Sequence, residues 1–102
     1  MNTEINLWRR GMSSSNPYPD NERPVEAWCD PHNLHVKLAD GREVVTPLWW
    51  YPRLHSASPA DRNKVELMFG GVHWPEVDED LSIRGMLNGW KYPGVRAPEK
   101  AA

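Results

Sequence analysis

The feature that most constrains the fold is an alternating segment followed by a tight-turn dipeptide. Residues 34–38 read Leu-His-Val-Lys-Leu, and Asp40-Gly41 follows one residue later. Strict alternation is typical of a strand with one buried face, because successive side chains point to opposite sides of a sheet. Gly adopts positive φ without steric cost, so the pattern predicts a β-hairpin.

A two-residue loop at this point sets the register of the hairpin. Val36 would face Val45, and His35 would face Thr46. The resulting sheet has an apolar face and a mixed face, since cross-strand neighbours share a face. The expected apolar set is Leu34, Val36, Leu38 and Val45, and the expected mixed set is His35, Lys37, Val44 and Thr46.

Further strands are predicted on both sides of this hairpin. Residues 25–30 have the alternating character of a short strand. Residues 66–69 and 72–74 flank Gly70-Gly71, which is typical of a second hairpin or a bulged strand. We interpret the two glycines as a tight turn, since they lack the following Lys and Ser/Thr of a phosphate-binding loop.

Two helix starts can be read from capping residues. Residues 58–61 read Ser-Pro-Ala-Asp, with a capping Ser, a Pro at the first helical position and an early acidic residue. They predict a helix over 59–66. Ser82 is expected to cap a second helix over 83–88. The chain is therefore predicted to be α+β, a small antiparallel sheet with hairpins and one or two short helices on one face.

The length of 102 residues and the 39% hydrophobic content fit one globular domain. We expect the folded unit at residues 24–90, between a flexible N-terminal arm (1–23) and a flexible C-terminal tail (91–102), because both ends are rich in Pro and polar residues. A unit this short buries only about 60% of its unfolded surface, so a homodimer would gain stability.

Cysteine count and charge narrow the classes of function. The single cysteine, Cys29, forms no internal disulfide, and no stretch reaches the ~18 apolar residues of a membrane span. We therefore expect a cytoplasmic protein without a membrane segment. The net charge of −2 argues against nucleic acid as the main partner.

Three segments carry a family resemblance. They are Leu-Ala-Asp-Gly-Arg at 38–42, Pro-Leu-Trp-Trp-Tyr-Pro-Arg-Leu at 47–54 and His-Trp-Pro-Glu-Val-Asp-Glu-Asp-Leu-Ser at 73–82. Over residues 25–89 the chain resembles the bacterial domain-of-unknown-function family 2442, most specifically in the third segment. The resemblance implies a small α+β domain and supplies no catalytic residues.

The same resemblance implies a partner. Members are often encoded beside proteins of the domain-of-unknown-function family 4160, and such pairs look like toxin–antitoxin modules. Some members continue into a helix-turn-helix, whereas nothing after Gly89 in this chain could form one. The resemblance therefore implies a small toxin-like neighbour as the partner and disfavours operator binding.

Four residues form the candidate metal site: His73, Glu76, Asp78 and Asp80. Clustered carboxylates are the oxygen ligands that Mg²⁺ and Ca²⁺ prefer. The competing interpretation is that these acidic residues favour the N-terminus of the helix that Ser82 caps.

The remaining candidates for chemistry receive structural interpretations. His32 and His35 are interpreted as surface histidines of the hairpin, although the pair could form half of a metal site. Cys29 is interpreted as a small buried side chain, not as a nucleophile. No cofactor is predicted.

The candidate partner surface is the aromatic run Trp49, Trp50 and Tyr51, with Arg53 and His55 as its polar rim. In an extended segment these three aromatics cannot all point inward, so at least one would be exposed, and Trp and Tyr are enriched at interfaces. The alternative is a short helix that wraps the three onto the core.

The leading functional hypothesis is a non-catalytic protein-protein interaction module, antitoxin-like, that binds a toxin-like neighbour through this aromatic run and the sheet edge. The second is a metal-binding protein or metal-dependent enzyme that uses His73, Glu76, Asp78 and Asp80. The third is a single-stranded nucleic-acid binder that stacks bases on the same aromatics.

Overall fold

A computed structural model describes residues 19–98 of the chain. These residues form strands β1 (Pro24–Cys29), β2 (Asn33–Leu38), β3 (Glu43–Pro47), β4 (Glu66–Met68), β5 (Gly71–Trp74) and β6 (Glu79–Ser82), and helices α1 (Pro52–Ser56), α2 (Pro59–Arg62) and α3 (Ile83–Leu87). Two single turns of 3₁₀ helix lie at Asp20–Glu22 and Leu48–Trp50.

The strands form two antiparallel sheets in place of the one that was expected. The first sheet has the order β1-β2-β3 and the second has the order β4-β5-β6. The α+β class is confirmed, whereas β6 was not predicted. The acidic run before Ser82 indicated a helix start, but Glu79 pairs with Trp74 and Asp80 pairs with His73 as the second strand of a hairpin.

The predicted register of the first hairpin is wrong by one residue. Val36 pairs with Val44, and His35 pairs with Val45. The turn uses three residues, because the Leu38 N–H donates to the Arg42 carbonyl (2.8 Å). Gly41 lies in the left-handed region at φ 99°, which is typical of a type I turn followed by a glycine bulge.

The slip exchanges the faces of three β3 side chains, Val44, Val45 and Thr46. Val45 is 49% exposed, and Thr46 is only 3% exposed. The buried Thr46 hydroxyl accepts a hydrogen bond from the Tyr51 hydroxyl (3.0 Å), which offsets the cost of burying both groups. Val44 packs against the core from the same face. The observed register therefore gives the buried Thr46 hydroxyl a hydrogen-bond partner from outside the hairpin.

One core unites the two sheets, the 3₁₀ turn after β3 and helices α1 and α3. Trp74 and Tyr51 are its largest fully buried side chains. The Trp74 indole N–H donates to the Arg62 carbonyl at the end of α2 (3.0 Å), which satisfies the polar atom of that ring. The buried apolar set is Leu34, Val36, Leu38, Leu48, Tyr51, Leu54, Val72, Trp74, Leu81, Ile83 and Met86.

Both predicted helix caps are confirmed. The Ser58 hydroxyl accepts from the Asp61 N–H (3.1 Å), and the Ser82 hydroxyl accepts from the Gly85 N–H (2.9 Å). Helix α2 ends earlier than predicted, at Arg62, and Glu66, the predicted end of the helix, instead begins β4.

The packed unit reaches Tyr92. Its N–H donates to the Trp50 carbonyl (3.1 Å), and its ring packs against the core. Leu7 and Trp8 of the predicted arm lie outside the described residues. Within residues 19–98, no helix is long and apolar enough to cross a membrane.

Candidate functional site

An apolar groove lies between the β4–β5 turn and α3. Its volume is about 990 Å³, and its lining includes Met68 and Phe69 from the turn, Met86 from α3 and Trp90 beyond the helix. Residues at the β5–β6 pairing, including Val72 and Leu81, also contribute. The second sheet therefore presents a mainly apolar concavity beside its last helix.

Three large side chains of the groove are accessible to solvent. Phe69 is 67% exposed, Met68 is 54% exposed and Trp90 is 48% exposed. Phe69 and Gly70 form the connection between β4 and β5, where a side chain lies beyond the sheet and cannot reach the core. Apolar side chains that cluster in the open are typical of binding surfaces.

Trp90 reaches the groove because the chain reverses after α3. Gly89 has φ 80°, a conformation that glycine adopts without strain, and it follows the helix as a C-terminal stop. The Trp90 N–H then donates to the Gly85 carbonyl (2.8 Å), and its ring lies 5.0 Å from the ring of Tyr92. The sequence predicted a helix end near residue 88, but not the side to which the chain turns after it.

Gly71 allows the backbones of β5 and β6 to lie close together beneath the groove. A Cβ atom at this position would lie 2.4 Å from the Leu81 carbonyl oxygen, a distance at which backbone atoms must move. Only glycine therefore fits here without disturbing the β5–β6 pairing.

The rim of the groove carries two paired charged groups. Arg84 binds Glu22 with two hydrogen bonds, from Nε (3.1 Å) and from Nη2 (3.2 Å). Asp80 is hydrogen-bonded to His73, its cross-strand partner. The Arg84–Glu22 pair also holds the first described residues of the chain beside the groove.

Sequence reasoning did not identify this groove. Leu67, Met68 and Phe69 are three consecutive apolar residues before Gly70, and in a strand they cannot all face one side. That argument was applied to the run at 49–51 and would have served equally well here. The convergence of α3 on the turn has no sequence signal.

The predicted partner surface is only partly accessible. Tyr51 is fully buried, so its side chain cannot contact a partner. Burial raises its pKa to about 12, and the hydroxyl stays neutral and donates to Thr46. The extended conformation assumed for residues 49–51 is wrong, because Leu48–Trp50 form a 3₁₀ turn that wraps the aromatics onto the core, as the alternative anticipated.

The other four residues of that surface lie at or near solvent. Trp49 and Trp50 are half-buried and meet edge to face, with ring centroids 6.4 Å apart. Lys91 Nζ lies 5.5 Å from the centre of the Trp50 ring. Arg53 and His55 are exposed, and Arg53 donates to the Asp78 carbonyl (2.8 Å).

The four candidate metal ligands do not converge. His73 and Asp80 pair across β5 and β6, whereas Glu76 and Asp78 are exposed in the turn that joins these strands. Asp78 is instead 3.9 Å from the Arg53 guanidinium. Among residues 19–98, no three His, Cys, Asp or Glu side chains are grouped so that they could hold a metal ion.

Glu79 belongs to the acidic segment that was considered for metal binding, but its burial was not predicted. It is 2% exposed, and its Oε1 accepts from the Tyr92 hydroxyl (2.9 Å). Its Oε2 has no hydrogen-bond partner among the described residues. Burial, followed by the hydrogen bond to Glu79, raises the pKa of Tyr92, so this hydroxyl stays protonated. The pair fastens the residues after α3 to β6.

A polar cluster covers the outer face of the first sheet. His35 Nε2 is hydrogen-bonded to Asp30 Oδ2 (2.6 Å), and Nδ1 is hydrogen-bonded to Glu43 Oε2 (2.9 Å). These bonds raise the pKa of His35, with Asp30 the larger cause. The bond from His35 and two backbone N–H groups lower the pKa of Asp30 to about 2. His35 also stacks on Trp28, with centroids 5.0 Å apart.

His32 lies beside this cluster, whereas Cys29 packs against the core on the opposite face of the sheet. His32 is exposed, and its backbone N–H donates to Asp30 (2.7 Å). Burial raises the pKa of the Cys29 thiol to about 11, so the side chain remains a thiol at neutral pH. The reactive form of cysteine is the thiolate, which is scarce here.

Comparison with known proteins gives a consistent set of relatives. The family model described as "Protein of unknown function (DUF2442)" matches residues 24–92. A crystal structure of a protein of unknown function from Rhodospirillum rubrum is 30% identical with a TM-score of 0.62, covering 71% of this chain and 92% of that one.

A solution NMR structure of an uncharacterized protein from Chromobacterium violaceum is also similar. It has 21% identity and a TM-score of 0.61, covering 71% of this chain and 70% of that one. At this identity the likeness concerns the fold alone. No curated protein matches the chain.

Proposed function

Since the chain belongs to the family described as "Protein of unknown function (DUF2442)", whose model spans residues 24–92, we propose that it is a non-catalytic protein-protein interaction module. It binds a small neighbouring protein through the groove beside α3, in the manner of the antitoxin of a toxin–antitoxin pair. The observation that carries this proposal is the exposure of Met68, Phe69 and Trp90 around one concavity.

These side chains have the chemistry of an interface. Aromatic residues and Met are enriched where proteins bind one another, and Met adapts its shape to different partners. Covering the exposed part of Phe69 or Trp90 would contribute on the order of 2–3 kcal/mol each at about 25 cal/mol per Å². Two such anchors in one groove are enough to dominate a binding site.

The partner that fits is a protein segment with apolar side chains. The charged groups at the rim, Arg84 and Asp80, already have partners in Glu22 and His73. A nucleic acid would need free basic side chains to replace its counterions. An apolar protein segment needs only a concave surface with an apolar lining. The groove therefore favours a protein over a nucleic acid.

The polar clusters of the domain support a non-catalytic role. Both ring nitrogens of His35 are engaged by carboxylates, and Cys29 remains a thiol. Nucleophilic catalysis requires an activated nucleophile with a free base beside it. The His35 ring is instead occupied in hydrogen bonds, and the Cys29 side chain is protonated.

The test is binding to the products of the flanking genes. The full chain is co-expressed with each neighbour, and the affinity of any complex is compared with that of Phe69→Ser and Trp90→Ser. We expect each variant to bind at least about 30-fold more weakly, which corresponds to a hot spot of 2 kcal/mol. If the neighbour is toxic, the same variants should lose the ability to relieve that toxicity.

Val45→Ser is the matched control, because it removes an exposed apolar side chain from the first sheet. It should leave the affinity within about twofold. Trp49→Ser tests the surface that the sequence predicted, and a larger loss from it than from Phe69→Ser would move the site to residues 49–55. No association with any neighbour would refute the proposal.

A further inference from the structure

We propose that the chain's own N-terminal segment, anchored by Leu7 and Trp8, occupies the groove of the same molecule and competes there with outside ligands. The inference concerns an occupant of the groove and does not require that a partner protein has been found. It follows from where the described chain begins, from the chemistry of residues 1–18 and from the openness of the groove.

The first described residues of the chain lie beside the groove. Glu22 is bound to Arg84 by two hydrogen bonds, and Arg84 is one of the residues that line the groove. Pro19, the first described residue, accepts a hydrogen bond from the Glu22 N–H (2.9 Å). The segment that precedes Pro19 is therefore attached at the edge of the site.

The segment is long enough to reach every part of the groove. Ten residues lie between Trp8 and Pro19, and the eleven steps from one to the other span up to roughly 36 Å when extended at about 3.3 Å per residue. This length exceeds the span of a groove that one short helix and one turn enclose. They include Gly11, Pro17 and the serines at 13–15, a composition typical of linkers.

The anchors match the lining. Residues 5–10 read Ile-Asn-Leu-Trp-Arg-Arg, an apolar group followed by two positive charges. Leu7 and Trp8 suit a concavity lined by Met68, Phe69 and Trp90. Asp80 pairs with His73 through Oδ1, and its largely exposed carboxylate can also accept hydrogen bonds from the arginines at the rim. The last four residues, Glu-Lys-Ala-Ala at 99–102, offer no comparable apolar anchor.

Tethering makes even weak binding effective. A short linker gives its ligand an effective concentration on the order of 1 mM. If the free segment bound with a dissociation constant of about 0.1 mM, the tethered segment would fill the groove roughly ten to one. An outside ligand would then bind about tenfold more weakly to the intact chain than to a chain without the anchors.

The first experiment compares backbone amide spectra of full-length variants. Replacing Leu7 and Trp8 by Ser together should shift the amide resonances of Gly70, Gly71 and Gly85, which lie along the groove. Met12→Ser is the matched control, because it removes an apolar side chain from the connection and should leave those resonances in place. The difference should persist on dilution, since the contact is within one molecule.

The second experiment uses a synthetic peptide of residues 1–12 as the probe. It should bind the Leu7→Ser/Trp8→Ser chain about tenfold more tightly than the wild-type chain. Adding Phe69→Ser to either chain should abolish peptide binding. In wild-type sequence, Phe69→Ser should also reproduce the amide shifts at Gly85 that the double anchor variant causes.

Identical groove resonances in the wild type and the anchor variant would overturn the inference, as would equal peptide affinity for both chains. Shifts that vanish on dilution would assign the segment to the groove of a second copy and would also overturn it. These readouts need no partner. Failure to find a neighbouring protein that binds would refute the proposed function but would not affect the inference about the N-terminal segment. Equally, unchanged groove resonances would overturn that inference but would not affect the proposed function.

Discussion

The outer face of the first sheet and the groove of the second sheet both carry aromatic side chains outside the core. In the first sheet the aromatic ring is covered by its neighbours, whereas in the groove the rings are exposed. Trp28 is stacked on His35 and has Lys37 Nζ 6.0 Å from its ring centre. Phe69 is largely exposed at a turn, and Trp90 is half exposed beyond a helix end.

The difference lies in the position of each aromatic within its element. Trp28 and His35 are directly opposed across β1 and β2, so each strand residue has a neighbour that covers it. A residue in a turn or after a helix has no cross-strand neighbour. Aromatics within the first sheet therefore stabilise the fold, while those at the ends of elements in the second sheet remain exposed.

The largest effect is expected at the backbone below the groove. Gly71→Ala should lower the free energy of unfolding by about 3 kcal/mol, because its Cβ would collide with the Leu81 carbonyl and overpack the pairing. In Gly41→Ala, in the first sheet, the added Cβ contacts no neighbour. This variant should lower the free energy of unfolding by only about 1 kcal/mol, because alanine is strained at a positive φ. Urea unfolding of both variants measures the contrast, and equal losses would contradict it.

The aromatics themselves give the next contrast. Trp28→Ser should lower the free energy of unfolding by about 2 kcal/mol, since it removes a stacked ring and a partly buried apolar surface. Phe69→Ser should change it by less than about 0.5 kcal/mol, because its side chain is mostly exposed. A large loss at Phe69 would mean that the turn is structural and would count against the proposal that Phe69 binds a partner.

The cluster on the first sheet should make stability depend on pH. The folded pKa of His35 is raised, so its contribution is complete below about pH 6.5 and is lost as the pH rises above that value. The folded pKa of Asp30 is lowered to about 2, so its contribution is present above about pH 4 and is lost as the pH falls. The two contributions coincide between about pH 4 and 6.5.

His35→Gln should therefore flatten the decline in the unfolding free energy that the wild type shows above about pH 6.5. His55→Gln, which changes an exposed histidine of α1, is the control and should keep the wild-type slope. Thermal unfolding at closely spaced pH values provides the measurement. An unchanged slope in His35→Gln would show that the cluster does not couple to folding.

The smallest effect is expected at the rim. Arg84→Gln removes the ion pair with Glu22 and should lower the unfolding free energy by about 0.5 kcal/mol, since Arg84 is mostly exposed. Lys37→Gln on the first sheet, where Nζ lies 3.8 Å from Glu26, should cost no more. Guanidinium unfolding at low salt resolves these differences, and a loss above 2 kcal/mol at Arg84 would place the pair in the structural framework.

Much of the local structure followed from the sequence because it depends on neighbouring residues. The alternation at 34–38 predicted β2, and Ser58 and Ser82 each cap a helix at the predicted position. Strand β6 was missed because residues 76–80 are mainly acidic and only Leu81 marks an apolar face. Helix α1 was missed, although Pro52 occupies its first position, where Pro is favoured.

The candidate site was the least predictable part. The groove combines a turn, a helix and a residue beyond that helix, and no spacing in the chain records that they meet. The exposed run at 67–69 carried a usable signal, whereas the burial of Glu79 within an acidic segment did not. Tyr51 was assigned to a surface because a triplet of aromatics was taken as extended, and a single 3₁₀ turn reverses that assignment.

The sequence by itself determined the existence of the first hairpin, the helix caps and the family, since each depends on side chains close together in the chain. Only the tertiary structure decided the hairpin register, which places Val44 and Thr46 on the face that packs on the core and Val45 in solvent. It also decided which aromatics are covered and which line the groove. The physical reason is that burial depends on what packs opposite a residue, and those partners come from distant parts of the chain.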